Sequence, residues 1–191
     1  MSWIVEHAED ADIDQPFFIS EPSPLPAVAA AAAASSGSAA PSAAASSDAL
    51  LFSSFPSSTP FKLVLLVRAD LKMRTGKIAA QVAHAAVGTV MELQAESARE
   101  RASGVSGASS SNGPVALRRW LSQGQAKVVL SIKDESEMHA IEAAARAQGI
   151  PTYIVADAGR TQVAAGSETV LAVGPAPVVV VDRVCGHLKL L

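Results

Sequence analysis

Leu63-Val64-Leu65-Leu66-Val67, followed by Gly76-Lys77-Ile78-Ala79-Ala80-Gln81-Val82-Ala83-His84-Ala85, is the stretch that decides the fold. Five consecutive apolar residues without polar alternation suit a strand buried on both faces. From position 76 to about 95 the period becomes helical. Ile78, Val82, Ala86, Thr89 and Leu93 form one stripe, Ala is abundant and no Pro interrupts. A buried strand passing into such a helix opens an α/β layer fold.

The elements that follow keep this alternation. Residues 114–121 read as a second helix with Pro at its start. Residues 127–132 read as a second strand. Asp134 and Glu137 stand at capping-box spacing ahead of a third helix, whose core face is Met138, Ile141, Ala144 and Ala145 and whose C-terminal cap is Gly149. Residues 152–156 and 169–173 supply a third and a fourth strand. Residues 177–184 read either way: the Val run favours a strand, while Pro177 and Asp182-Arg183 permit a helix. The order β-α-α-β-α-β-β predicts an α/β fold. Its mixed four-stranded sheet is covered by helices, and a short C-terminal helix completes it.

Ahead of this domain, placed at 61–191, residues 1–60 read as a disordered tail, first acidic and then rich in Ala, Ser and Pro. Its 22–60 portion has little to bury against an ordering cost of about 1–2 kcal/mol per residue. Trp3, Ile4, Val5, Phe17, Phe18 and Ile19 sit among its acidic residues, and fit either a peptide that docks on a protein partner or a solvated tail. The Ser- and Gly-rich segment 103–114 reads as a flexible insert.

Charge divides the chain in the same place. Residues 1–60 hold seven acidic residues and no Lys or Arg, whereas 61–191 hold all 15 basic residues against 11 acidic ones. The net of −3 therefore conceals a mildly basic module, and a polyanion is a compatible partner. The single cysteine, Cys185, excludes an internal disulfide and a Cys-pair metal site, and reads as a small buried apolar group. No run approaches the ~18–20 apolar residues that span a bilayer. The acidic beginning does not fit a secretory or mitochondrial leader. A cytoplasmic protein without a membrane segment is expected, with mitochondrial association left open.

Two polar clusters interrupt the apolar pattern. Lys77, Gln81 and His84, at i, i+4 and i+7, line one side of the first helix near its N-terminus. The unpaired N–H groups there and the Lys77 charge favour a phosphate or an oxyanion. A solvated helix face is the alternative. Asp157-Ala158-Gly159-Arg160-Thr161-Gln162, with Gly166 and Thr169 beyond, follows the strand string Tyr153-Ile154-Val155-Ala156, where α/β folds keep their chemistry. Asp157 suits a base that orients or deprotonates water, or a turn residue bonding its own backbone. Thr161 and Thr169 suit positioning of that water, and Arg160 suits a phosphate. Thr75-Gly76-Lys77 is not a phosphate-binding P-loop, because Leu71 stands where its first Gly belongs and Ile78 where its Ser or Thr belongs. There is no G-x-S-x-G string, and the acidic residues near the loop are too few for a two-metal site.

The string 62–70, then Lys72-Met73, Gly76 to Ala85, Asp157 to Gln162 with Gly166-Ser167, Thr169 to Pro175 and Gly186 to Leu190 together resemble the type 2 peptidyl-tRNA hydrolase family. The resemblance covers about 61–191. It implies hydrolysis of the ester between a peptide and the 3′ ribose of tRNA, which recycles tRNA from aborted translation. N-blocked aminoacyl-tRNA would also be a substrate. It implies no cofactor and no metal, and commonly a homodimer. The family's functional positions fall on Lys77, Gln81, Asp157, Thr161 and Thr169, with His84 matching the motif in a less settled role. Two departures stand out: the 103–114 insert, and Arg74-Thr75 where the family more often has Gly-Lys. Two other readings stay open, an interaction protein built on a hydrolase scaffold and a module that grips tRNA without cleaving it.

Overall fold

The computed structural model describes residues 52–102, 112–159 and 163–191. After a 3-10 turn at Phe52–Ser54, the elements are β1 (Phe61–Arg68), α1 (Thr75–Ala102), α2 (Gly113–Ser122), β2 (Lys127–Ile132), α3 (Glu135–Ala147), β3 (Thr152–Ala156), β4 (Glu168–Pro177), α4 (Val178–Cys185) and β5 (Lys189–Leu190). The expected α/β order is present, but the sheet has five strands rather than four, in the order β3-β4-β1-β2-β5. The unforeseen β5 is two exposed residues paired antiparallel with β2, too short to carry a periodic signal. β1 and β2 are parallel, while β4 runs antiparallel to both β1 and β3. The C-terminal ends of β1, β2 and β3 and the start of β4 therefore share one edge of the sheet.

Side-chain alternation along β1 assigns the layers. Lys62 reaches Asp182 of α4 and Arg68 reaches Glu135 of α3, whereas Phe61 lies 4.6 Å beneath the Arg119 guanidinium of α2. Thus α1 and α2 cover one face, α3 and α4 the other. The continuous apolar run of β1 is buried throughout from Leu63 to Val67, as a strand covered on both faces requires. The ambiguous Val run is helical. Val180, Val181, Val184 and Cys185 face the core, so tertiary burial overrides the β-preference of valine.

α3 begins and ends as its residues dictate. The Asp134 carboxylate accepts from the Glu137 N–H at 2.9 Å, and Glu137 reaches back to the Lys133 N–H. At the other end Gly149 adopts φ +69, with Gly149 N–H bonded to Arg146 O and Ile150 N–H to Ala145 O, a Schellman cap. Met138, Ile141 and Ala145 form the buried face; Ala144, expected there, is exposed.

Packing extends past two of the expected boundaries. Ahead of position 61, Phe52 is fully buried and packs edge-on against Phe55 and Phe61. Arg119 donates to the carbonyls of Phe52, Phe55 and Pro56, so a polar strap supplements the aromatic contacts. Residues 52–60 thus have a core contact that composition alone hides; residues 1–51 of the expected tail lie outside the described residues. Likewise, 103–111 of the expected insert lie outside them, whereas its last residues are built in. Asn112 is buried, accepts from Phe52 N–H at 2.8 Å and donates to Gly149 O at 3.0 Å, and α2 starts at Gly113.

Candidate active site

The shared sheet edge brings the two polar clusters together. α1 starts at Thr75 and turns Gln81 into the core alongside Ala85, Thr89 and Leu93. Lys77, one turn earlier, is half-buried, and its ammonium donates to Asp157 Oδ2. The Gln81 amide nitrogen donates to the same oxygen at 2.9 Å. A carboxylate only accepts, so this contact fixes the amide orientation and turns the Gln81 carbonyl oxygen toward Thr169. The Thr169 hydroxyl lies 2.7 Å from that oxygen and 3.2 Å from Val155 O.

Asp157 stands just beyond β3. Its backbone is pinned across the loop, N–H to Ser167 O at 2.8 Å and C=O from Gly166 N–H at 2.7 Å. Its Oδ1 accepts from Gly159 N–H at 2.7 Å, the Asx turn that an Asp-x-Gly string permits. Gly159 has φ +76, and a Cβ there would lie 2.6 Å from the Ala165 Cβ, so only glycine fits the turn. Asp157 is therefore both a turn residue and the centre of the cluster; the two readings of its sequence context are not alternatives.

The electrostatics follow from these contacts. The Lys77 hydrogen bond holds the Asp157 carboxyl below its ordinary value, against burial, which raises it. The Gly159 N–H and the charges of Lys77 and His84 act in the same direction as the hydrogen bond. Asp157 is thus fully ionised at neutral pH. Three acceptor directions are taken, two on Oδ2 and one on Oδ1, which leaves Oδ1 able to accept one more donor.

Of the residues singled out in the sequence, Lys77, Gln81, Asp157 and Thr169 meet directly. His84 is exposed on the next turn of α1, close enough for its charge to act on Asp157. Arg160 and Thr161 lie outside the described residues. Thr169 has no solvent exposure, and its hydroxyl donates to the Gln81 carbonyl oxygen.

Sequence reasoning did not single out a second polar cluster on the same edge, toward α3. Arg68 donates to Asp70, Glu135 and the Glu168 carbonyl, and the His139 Nε2 lies 2.9 Å from Glu168 Oε2. The available signal was a cation ending an apolar strand, since a charge buried there requires partners. The ligand atoms of Glu135, His139 and Glu168 come within 4.8 Å of one another. The Glu135 carboxylate accepts from Arg68, whereas the buried Glu168 Oε2 lies beside His139 without an aligned hydrogen bond.

Comparisons with known proteins place the chain in a family. The family model described as peptidyl-tRNA hydrolase PTH2 matches residues 61–191. Human "Peptidyl-tRNA hydrolase 2, mitochondrial" is 41% identical over 133 residues, 70% of this chain and 65% of that protein. A Drosophila melanogaster protein named "Probable peptidyl-tRNA hydrolase 2" is 45% identical over 131 residues, 69% of this chain and 62% of that one. The match thus spans slightly less than two thirds of these two relatives. It spans nearly all of a Thermococcus onnurineus "Peptidyl-tRNA hydrolase", 40% identical over 69% of this chain and 98% of its own length. The matched segment carries the whole sheet edge on which Lys77, Gln81, Asp157 and Thr169 converge, and the chain belongs to the peptidyl-tRNA hydrolase PTH2 family.

Proposed function

We propose that this protein hydrolyses the ester bond of peptidyl-tRNA, releasing tRNA and peptide and so recycling tRNA from aborted translation, and that N-blocked aminoacyl-tRNA serves as a minimal substrate. The observation that carries the reading is the convergence of Lys77 and Gln81 from α1 on the Asp157 carboxylate at the end of β3. Ester hydrolysis requires water to add to the carbonyl carbon, the carbonyl oxygen to gain negative charge, and the ribose 3′ oxygen to leave with a proton. The ester is already activated, so positioning and charge stabilisation account for most of the catalysis.

In the free protein Lys77 and Asp157 neutralise one another, which makes the carboxylate a weak base. Substrate that draws the ammonium onto a phosphate or the ester carbonyl leaves Asp157 with Gln81 and Gly159. Its basicity then rises while Lys77 stabilises the oxyanion. The remaining acceptor direction on Oδ1 takes the attacking water, and its proton passes through Asp157 to the leaving 3′ oxygen. Thr169 positions Gln81; Thr161 is assigned to the water, and Arg160 and His84 to the tRNA end. An ammonium, a side-chain amide and a backbone N–H surround the carboxylate, which supports a reaction without metal or other cofactor.

The same reading has the protein act as a cytoplasmic homodimer. Val87 and Met91, 58% and 54% exposed on α1, offer an apolar strip for a second copy. No helix among the described residues is long and apolar enough to cross a membrane. A protein partner for the N-terminal segment rests on residues outside those described.

The test is release of N-acetyl-aminoacyl groups from tRNA, measured beside free aminoacyl-tRNA and with chelator present. Cleavage of the blocked ester alone, lowered at least ~100-fold by Asp157→Ala, is expected. Folded protein that binds tRNA without cleaving it would refute the hydrolase reading, and near-normal turnover by Asp157→Ala would refute the base.

A further inference from the structure

Arg68 and Asp157 are the two charged residues buried among the described ones, and the proposed chemistry uses only Asp157. The Arg68 guanidinium is held at four points. Nε and Nη2 grip Asp70 at 3.1 and 2.7 Å, and Nη1 donates to Glu135 Oε2 at 2.6 Å and to the Glu168 carbonyl at 3.0 Å. This fork joins the end of β1, the start of α3 and the first residue of β4.

The last contact falls on an irregularity. Val155 pairs with Val170 but Ala156 pairs with Glu168, so Thr169 is the extra residue of a bulge in β4. A bulge breaks the ladder locally and re-aims a side chain. Here Glu168 faces α3, through its contact with His139, while Thr169 faces α1 and meets Gln81. Arg68 takes up the Glu168 carbonyl, the group immediately before the re-aimed residue.

We propose that Arg68 is a positioning residue for the hydrolytic site: by holding the Glu168 carbonyl at the bulge it aims the Thr169 hydroxyl at Gln81, and through Gln81 it sets the Asp157 carboxylate. This inference rests on the hydrolase reading for its kinetic consequences but not for its geometry. Arg68 lies on the α3 side of the sheet and touches none of the reacting groups. A lysine keeps the charge but not the fork, and cannot hold Asp70, Glu135 and a carbonyl together.

The experiment compares the parent protein with Arg68→Met, Arg68→Lys, Thr169→Val and the Arg68→Met/Thr169→Val double variant. Thermal unfolding, kcat and KM on N-acetyl-aminoacyl-tRNA are read, with the side-chain amide resonance of Gln81 identified by its loss in Gln81→Leu. Arg68→Met is expected to lower kcat about 10- to 100-fold, the scale of a sub-ångström to ångström misplacement, with KM unchanged. Arg68→Lys recovers thermal stability but not kcat. In the Thr169→Val background the Arg68 change adds little, because both act through one contact. The Gln81 resonance moves in both Arg68 variants.

A folded Arg68→Met with normal kcat, fully additive effects, a rise confined to KM, or an unmoved Gln81 resonance would each overturn the proposal. If Arg68→Met does not fold, Arg68→Lys carries the same readings. If the parent cleaves nothing, the hydrolase reading fails, and the Gln81 resonance still decides the positional link.

Discussion

Replacing Lys77 by methionine removes the charge that faces Asp157 while keeping most of the side-chain volume. The two side chains are only 14% and 2% exposed, so the pair is largely shielded from water. Removing one partner of a buried pair typically costs about 3–5 kcal/mol, because the other charge is stranded. Asp157 is not stranded, since Gln81 and the Gly159 N–H still hold it. The expected loss is therefore nearer the value of one charge-assisted hydrogen bond, about 1–3 kcal/mol at neutral pH. Its pH dependence identifies the cause. In the parent, the folded Asp157 pKa lies below its ordinary 3.8, so its stabilisation is fully present above the unfolded value and is lost as pH falls through the folded one. In the variant, burial acts without Lys77 and lifts the folded value. The difference in unfolding free energy between the two proteins should therefore be constant near neutrality. It should shrink as pH falls through the raised pKa of the variant, and its titrating part should vanish below the depressed pKa of the parent. Urea unfolding across pH 7 to 3 (about the range a carboxylate requires) measures it. A loss that does not vary with pH would show that Lys77 stabilises by packing alone and would refute the electrostatic account.

Gly159→Ala places a Cβ 2.6 Å from that of Ala165 in a turn at φ +76, so it should displace the N–H that holds Asp157 Oδ1. Turnover should fall while tRNA binding by filter retention persists; unchanged turnover refutes the role of the turn. Phe52→Ala removes a fully buried ring and should cost about 3–5 kcal/mol in urea unfolding, with normal turnover by the molecules that remain folded. A truncation ahead of Phe52 keeps this anchor and one at position 60 loses it, so only the second should lower the melting temperature. Burial pushes the Cys185 thiol up to about 11, and Cys185 is 1% exposed, so alkylation at neutral pH should await unfolding. Rapid labelling of the native protein would contradict that burial.

The fold was legible where local pattern and burial agree. The unbroken apolar run at 63–67 suits a strand covered on both faces and forms one, and the Asp134 and Gly149 caps mark α3 within a residue. What stayed hidden depends on contacts distant in sequence. Phe52 gains its place from Phe61, Asn112 and Arg119, none of which a local window connects with it. β5 exists because two residues find the free edge of β2. At the site, Lys77, Gln81 and Asp157 were recognisable as polar groups at a helix start and a strand end. The burial of Thr169 was not, because strand alternation alone cannot show a bulge. A one-residue slip between β3 and β4 changes which face Thr169 occupies, and brings its hydroxyl to Gln81.

One carboxylate serves both as a turn residue and as the centre of a polar network. The backbone of Asp157 is committed to Ser167 and Gly166, and its Oδ1 to Gly159, so main-chain groups set where the carboxylate stands. Lys77, Gln81 and Thr169 arrive from the neighbouring helix and strand and decide its charge and orientation. The first set is local and belongs to one loop; the second requires the whole sheet edge. A substitution in the loop should therefore displace the carboxylate, whereas one in α1 or β4 should leave it in place with altered basicity. In the proposed reaction this division matters. An ionised Asp157 held in position can receive water before Lys77 departs, and the departure of Lys77 then raises its basicity at the moment when the ester carbonyl needs the positive charge.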